Sequence, residues 1–218
     1  MLIRLYRRSV GLSTREELLK AACRHFGEGG YGSTPLSAIA GTCGIKTPSI
    51  YAFYKNKDAL YLAAFRHVLE SHYLFLKRAV EAKKDAPPEE QLFSILRGLV
   101  DFHDQETELT QFYKQAYLVP PHHLKAEMDE TFRYYDRLLS ALVDGILQRL
   151  IDEGIVAKGN RQAVLAAWFC LMDGIFLEMF YYPKEELDER LCMIWKIFWD
   201  GLKNSRTDDR SDSQCKNL

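Results

Sequence analysis

The segment from Ser33 to Leu60 constrains the fold of the chain most, because it contains two very short helical patterns separated by a glycine-bearing turn. Each pattern opens on a Thr-Pro pair, first at Thr34 and again at Thr47, and this pair is a typical helix start. Helices well under the roughly 12 to 15 residues that an isolated helix needs must be held by their neighbours. The layout predicts a helix-turn-helix DNA-binding element.

Helical periodicity also covers the flanking segments, and no strand-like alternation competes with it. A capping box of Ser13 and Glu16 predicts a supporting helix, which the glycines from Gly27 to Gly30 are expected to end. Asn56 is expected to cap a long helix that continues to Ala82. Further helices are predicted over 89–104, 109–118 and 122–151, from about 160 to 182, and from 183 to about 202.

These patterns predict an all-α fold with an N-terminal three-helix DNA-binding domain and a larger helical second domain. The predicted boundaries are 12–58 for the helix-turn-helix domain and 59–203 for the second domain, followed by a polar tail at 204–218 that is expected to be disordered. Charge supports this division. Residues 1–57 contain nine Lys or Arg and three Glu, whereas 58–218 contain 20 basic and 27 acidic residues, as in a phosphate-binding module joined to another domain.

The last two predicted helices bear on assembly and location. Val164–Tyr182 is apolar nearly all round and is expected to be buried on most sides, but its uncharged run is too short for a membrane span. Two such helices predict a four-helix interface with a second copy, the alternative being packing within one chain. Five cysteines without a Cys-x-x-Cys pair, and an opening without a signal-peptide pattern, predict a cytoplasmic protein.

Enzymatic and metal-binding patterns are weak. No Ser-His-Asp order, paired-acid site or phosphate loop stands out. His103 lies between two aspartates, and His122 adjoins His123, but neither pattern puts two histidines on one helix face. We therefore expect no catalytic residues, no metal and no cofactor.

The motifs in the first quarter of the chain, at their spacing, resemble the TetR family of transcriptional regulators. They are Phe26, Gly30-Tyr31, Thr34, Ile39-Ala40, Gly44-Ile45, Ser49-Ile50-Tyr51 and Lys55–Leu60. The resemblance implies phosphate contacts from Thr34, Tyr51 and Lys57. It also implies a major-groove surface in which Lys46 contacts guanine and Thr47 or Pro48 contacts thymine methyl groups, with Ser49 and Ala52 beside them.

One departure from the family concerns Phe53, which stands where many relatives have a histidine that contacts phosphate. The Tyr54 hydroxyl is one candidate substitute for the lost contact. A basic arm that includes Arg4, Arg7 and Arg8 is a second candidate, through an adjacent minor groove, although a solvated tail is the simpler interpretation.

The resemblance further implies an effector site among the middle helices, where aromatic residues are abundant enough to line a cavity. Asp173, inside an apolar helix, is a candidate polar anchor or a site of close packing across a dimer. The candidate effector residues are Phe102, Phe112, Tyr113, Tyr117, Phe132, Tyr135, Trp168, Asp173 and Phe176.

The implied function is a homodimeric repressor that binds a pseudo-palindromic operator in double-stranded DNA and is released by a small hydrophobic or aromatic effector. One alternative is an effector-independent DNA-binding organiser or activator of the same fold. A more remote one is a helical enzyme or interaction module.

Overall fold

The computed structural model describes residues 14–204, a range that contains helices and no strand, so the all-α prediction is confirmed. The α-helices of this range are α1 Thr14–Ser33, α2 Leu36–Thr42, α3 Lys57–Ala82, α4 Pro88–Gln105, α5 Thr107–Leu118, α6 Lys125–Asp152, α7 Arg161–Glu178 and α8 Lys184–Asn204. Three 3-10 helices accompany them: Thr47–Ala52, which we call the recognition helix, His122–Leu124 and Lys158–Asn160. The predictions for Ser13, for the basic arm and for the tail beyond 204 lie outside the described residues.

The helices form two compact units. The first consists of 14–73 with Gln105–Asp136, and the second of Leu74–Asp104 with 137–204. Residues 105–136, which the sequence-based boundary assigns to the second domain, thus group with the DNA-binding element. The first unit therefore contains α1, α2, the recognition helix, the first part of α3, α5 and the start of α6.

The close approach of α1 and α5 explains this grouping. α1 continues through Gly27, the first of the glycines that the sequence predicted to end it, and is interrupted at Gly30, the last of them, whose φ of 70° and ψ of 173° are not helical. A Cβ on Gly27 would lie 2.9 Å from the backbone nitrogen of Phe112 in α5. The absent side chain lets Phe26 pack against Phe112, and both rings contact Tyr61 of α3 at centroid distances of 5.0 and 5.2 Å. All three rings are fully buried, so they form the core of the first unit.

In the second unit, α7 and α8 leave apolar side chains exposed. α7 buries Val164 and Trp168, but Leu177 on the same helix is exposed. On α8, Met193 is 61% and Ile197 is 74% exposed. Burial of the α7 segment on most sides is thus not reached within one chain, because a helix that is apolar all round has more apolar surface than its neighbours in that chain cover, and the predicted burial against a second copy stays a prediction. None of the helices in the described part is long and apolar enough to cross a lipid bilayer.

Candidate nucleic-acid interface and adjoining cavity

Thr34 holds the connection between α1 and α2. Its hydroxyl lies 2.9 Å from the carbonyl oxygen of His25 and 2.8 Å from that of Gly30, so its hydrogen bond is donated to the backbone of α1. The Thr34 residue is only 3% exposed, and α2 begins after Pro35 without a side-chain cap bond. The structure thus corrects two predictions: the Thr34 hydroxyl neither caps α2 nor faces a phosphate, because it is already bonded to the end of α1.

The turn after α2 depends on Gly44. This residue has a φ of 62°, in the left-handed region where side chains are disfavoured. The Gly44 N–H donates to the carbonyl of Gly41 at 3.0 Å, and the Ile45 N–H donates to that of Ala40 at 3.0 Å. These bonds close the end of α2 and direct the chain into the recognition helix.

The recognition helix begins at Thr47, where the Thr-Pro pair predicts a helix start, and it is a single 3-10 segment. It follows Lys46, whose backbone is extended, and the Ser49 N–H donates to the Lys46 carbonyl at 2.8 Å. Ile50 is fully buried and anchors the segment, whereas Tyr51 is 56% exposed. The residues predicted to face the major groove lie on this segment or directly before it: Lys46, Pro48, Ser49 and Ala52 are exposed, and Thr47 is half-buried.

Tyr54 does not belong to this exposed surface. It is 5% exposed, and its hydroxyl is buried with no hydrogen-bond partner among the described residues. The guanidinium carbon of Arg15 lies 5.9 Å from the ring centroid. The prediction that the Tyr54 hydroxyl replaces a lost phosphate contact is corrected, because the hydroxyl points into the unit. Phe53, at 43% exposure, and Lys55 flank it on the outside.

The start of α3 is capped as predicted. The side-chain oxygen of Asn56 accepts a hydrogen bond from the Ala59 N–H at 2.8 Å. Lys57 is the first residue of the helix, and its ammonium lies 4.4 Å from the ring centroid of Tyr31. Burial lowers the pKa of Lys57, and the neighbouring Asp58 opposes that shift. The first N–H groups of a helix lack intrahelical partners, so this end suits an anion.

Three side chains from separate parts of the first unit meet beside Lys57, and we call Tyr31, Asp58 and His123 the Asp58 cluster. The Tyr31 hydroxyl donates to the Asp58 carboxylate, and Nε2 of His123 lies 3.1 Å from the same oxygen. The Tyr31 and His123 rings meet edge to face at a centroid distance of 5.2 Å. The bond from Tyr31, followed by that from His123, lowers the pKa of the Asp58 carboxyl, while burial and the Asp58 bond raise the pKa of Tyr31 to about 12. Sequence reasoning missed this cluster.

A cavity of about 240 Å³ lies within the same unit. It is open to solvent on one side and is lined by α3, α5, the Pro120 turn and the start of α6, and its lining includes three of the predicted effector residues: Tyr113, Tyr117 and Phe132. Its other lining residues, which the sequence did not indicate, are Phe65, Ala116, Pro120, Lys125, Met128 and Asp129. Lys125 and Asp129 form an ion pair at 2.8 Å, so this mostly apolar cavity contains one pair of opposite charges.

The remaining predicted effector residues do not line this cavity. Phe112 is fully buried in the aromatic core, and Tyr135 is half-buried on α6. Phe102 and Phe176 pack around His103 in the second unit, where Trp168 is also fully buried. Asp173 is exposed, which corrects its interpretation as a buried polar anchor: α7 turns this position away from the core of its unit.

Two curated proteins of Bacillus subtilis (strain 168) are similar in sequence. The HTH-type transcriptional regulator YerO is 25% identical over 151 residues, which cover 66% of this chain and 52% of YerO. The fatty acid metabolism regulator protein is 26% identical over 157 residues, which cover 68% of this chain and 76% of that protein. The chain thus spans about half the length of the first of these relatives.

A solved structure shares the fold. The transcriptional regulator FadR from Bacillus subtilis, in complex with stearoyl-CoA, matches with a TM-score of 0.68 at 18% identity, over 85% of this chain and 98% of that chain. Residues 18–64 match the family described as bacterial regulatory proteins, tetR family. That match contains the recognition helix, its supporting helices and the capped start of α3. Residues 18–64 therefore form a DNA-binding domain of the TetR-family type.

Proposed function

We propose that the protein is a cytoplasmic, homodimeric repressor that binds a pseudo-palindromic DNA operator and leaves it when a small hydrophobic molecule occupies the cavity of the first unit. The observation that carries the proposal is the exposed surface of the recognition helix beside the N-terminus of α3. Two such surfaces in a dimer would enter successive major grooves if they lie about 34 to 36 Å apart.

Individual contacts follow from the exposure of each side chain. Exposed Lys46 suits the acceptor edge of a guanine, and Thr47 and Pro48 suit thymine methyl groups. The exposed Tyr51 hydroxyl and the Lys57 ammonium suit phosphates, which position the protein without specifying sequence. The small recognition side chains leave much of the specificity to DNA shape.

The cavity supports a ligand-responsive regulator over the effector-independent alternative, because a regulator without an effector needs no void of this kind. Its volume of about 240 Å³ is below the roughly 300–1,000 Å³ typical of sites for drug-sized ligands. We therefore propose an effector that inserts an apolar or aromatic part between Phe65, Tyr117 and Phe132. Because the B. subtilis FadR was solved with stearoyl-CoA, an acyl thioester is the first compound to test, with only part of its chain inside the cavity.

The apolar surface on α7 and α8 supports a dimer. Met193 and Ile197 of α8 and Leu177 of α7 are large apolar side chains exposed to solvent in the single chain. Covering such a surface with the same surface of a second copy gives a two-fold symmetric interface. Asp173 and Gly174 lie on the exposed part of α7, which keeps open the predicted role in close packing across the dimer.

Selection from random double-stranded DNA tests the proposed DNA binding. We expect enrichment of a sequence with two half-sites separated by 10–10.5 base pairs, or a multiple of that spacing. Tyr51→Phe should weaken binding to the selected duplex about fivefold, the value of one hydrogen bond of about 1 kcal/mol. Tyr134→Phe, at another exposed tyrosine, serves as the control and should have no effect. Failure to enrich any duplex would reject the proposal in favour of a helical interaction module or enzyme.

The effector is tested on the selected duplex by adding stearoyl-CoA, free stearate or planar aromatic compounds and following DNA release by fluorescence anisotropy. Tyr117→Ala and Phe132→Ala should reduce the potency of any active compound without changing DNA affinity in its absence. Tyr134→Ala, outside the cavity, is the matched control. If no compound alters DNA affinity or occupies the cavity, the effector-independent organiser becomes the better interpretation.

A further inference from the structure

The start of α3 places a carboxylate next to the expected phosphate site. Asp58 is the second residue of α3 and directly follows Lys57. A carboxylate in the first helical turn interacts favourably with the helix dipole, but it also competes with a phosphate for the same N–H groups and repels it. DNA binding at this site therefore requires that the Asp58 carboxylate be held away from the phosphate.

Two residues of the Asp58 cluster that lie outside α3 hold the carboxylate in this way. Tyr31, next to the kink at Gly30 within α1, donates its hydroxyl hydrogen to the carboxylate, and His123, between α5 and α6, contacts the same oxygen at 3.1 Å. The Lys57 ammonium lies over the Tyr31 ring instead of pairing with the carboxylate. Tyr31 and His123 thus provide the hydrogen-bond partners of the Asp58 carboxylate, and the Lys57 ammonium remains available to a phosphate.

We propose that Tyr31 and His123 are positioning residues for DNA binding, which withhold the Asp58 carboxylate from the phosphate site at the start of α3. This inference rests on the proposed function, because it concerns the same DNA contact. It differs from a purely structural role in the sign of one effect. If the cluster only stabilises the first unit, neutralising Asp58 removes that stabilisation and weakens DNA binding. If the cluster keeps the Asp58 charge away from the phosphate, neutralising Asp58 removes the repulsion, and Tyr31 and His123 are no longer needed for DNA binding.

A double-mutant cycle measured by DNA affinity separates these roles. The probe is the duplex selected by the unsubstituted protein, at fixed salt concentration. His123→Ala should weaken binding by about threefold to tenfold, the repulsion expected between a surface carboxylate and a phosphate a few ångströms apart. His123→Gln, which keeps an N–H donor, should recover most of the loss. His123 has an exposed side chain, so these variants are expected to fold.

Asp58→Asn is the decisive variant. Alone it should bind DNA at least as tightly as the unsubstituted protein, and in combination with His123→Ala and Tyr31→Phe it should restore the affinity that those changes remove. Glu28→Gln, at an exposed carboxylate of α1, is the control for the loss of one negative charge. Weaker binding by Asp58→Asn, or a failure to rescue the double variant, would overturn the inference. Absence of duplex binding by the unsubstituted protein would instead reject the proposed function.

Discussion

Gly27→Ala is expected to destabilise the protein even though alanine is the better helix former. The added methyl carbon would lie 2.9 Å from the backbone nitrogen of Phe112 and 3.2 Å from its Cα. Because both are backbone atoms, no side-chain rotation can relieve the contact, and α1 and α5 must move apart. The same displacement would disturb Phe26 in the core of the first unit and the wall of the cavity that α5 provides.

The magnitude follows from two opposing effects. Overpacking of a close helix contact typically costs about 1–3 kcal/mol. Replacing glycine by alanine inside a helix returns about 1 kcal/mol. We therefore expect a net loss of about 1 kcal/mol for Gly27→Ala, which lowers Tm by about 2–4 °C in a chain of this length.

Gly145→Ala is the matched control. Gly145 lies inside α6, is exposed, and a Cβ there would have no atom within 4 Å. The same chemical change should therefore stabilise the protein by up to about 1 kcal/mol. Thermal unfolding of both variants, followed by circular dichroism and calorimetry, measures the difference. A Gly27→Ala variant that raises Tm as much as Gly145→Ala would refute the close approach of α1 and α5.

Four other predictions concern single side chains. Asn56→Ala removes the cap of α3 and should cost about 1 kcal/mol in urea unfolding, so an unchanged stability would argue against the cap. Tyr54→Phe removes a buried hydroxyl and should leave DNA affinity unchanged, with stability equal or raised by about 1 kcal/mol; a tenfold loss of affinity would return Tyr54 to the interface. Ile197→Glu puts a charge on the exposed apolar surface of α8 and should shift sedimentation from dimer to monomer, whereas an unchanged dimer would place the interface elsewhere. The hydrogen bond from Tyr31 lowers the pKa of Asp58 in the folded state, so the contribution of this bond to the free energy of unfolding is present above the unfolded pKa of about 3.9 and is lost as pH falls through the folded pKa. Asp58→Asn should therefore reduce the loss of stability on acidification, measured by urea unfolding at several pH values. An unchanged dependence of stability on acid pH would contradict the bond.

The helices were predictable because each depends on local patterns. Periodic apolar residues and capping residues such as Asn56 determine helix positions through contacts within a few residues of the sequence. In the structure α3 begins directly after Asn56, as its capping role predicts. Gly27 shows the limit of this reasoning. A glycine near the end of a pattern resembles a helix terminus, yet here it permits the approach of a helix more than 80 residues away in sequence.

The site was predictable only in part, because the direction of each side chain depends on distant elements. The exposed surface of the recognition helix follows from local motifs, whereas the inward direction of Thr34 and Tyr54 depends on what packs behind them. Asp58 and His123 are 65 residues apart, and no local pattern joins them. The cavity likewise forms only when the chain after α5 turns at Pro120 and brings α6 back beside it.

The salt dependence of DNA binding tests the central claim most directly. The logarithm of the association constant for the selected duplex, plotted against the logarithm of salt concentration, should fall steeply, by about 0.9 for each phosphate neutralised. Lys57→Ala should weaken binding and make the slope shallower by about 1, whereas Lys77→Ala, at an exposed lysine in the second unit, should leave the slope unchanged. Salt-insensitive binding, or the same slope for Lys57→Ala and the unsubstituted protein, would contradict a DNA interface at the start of α3.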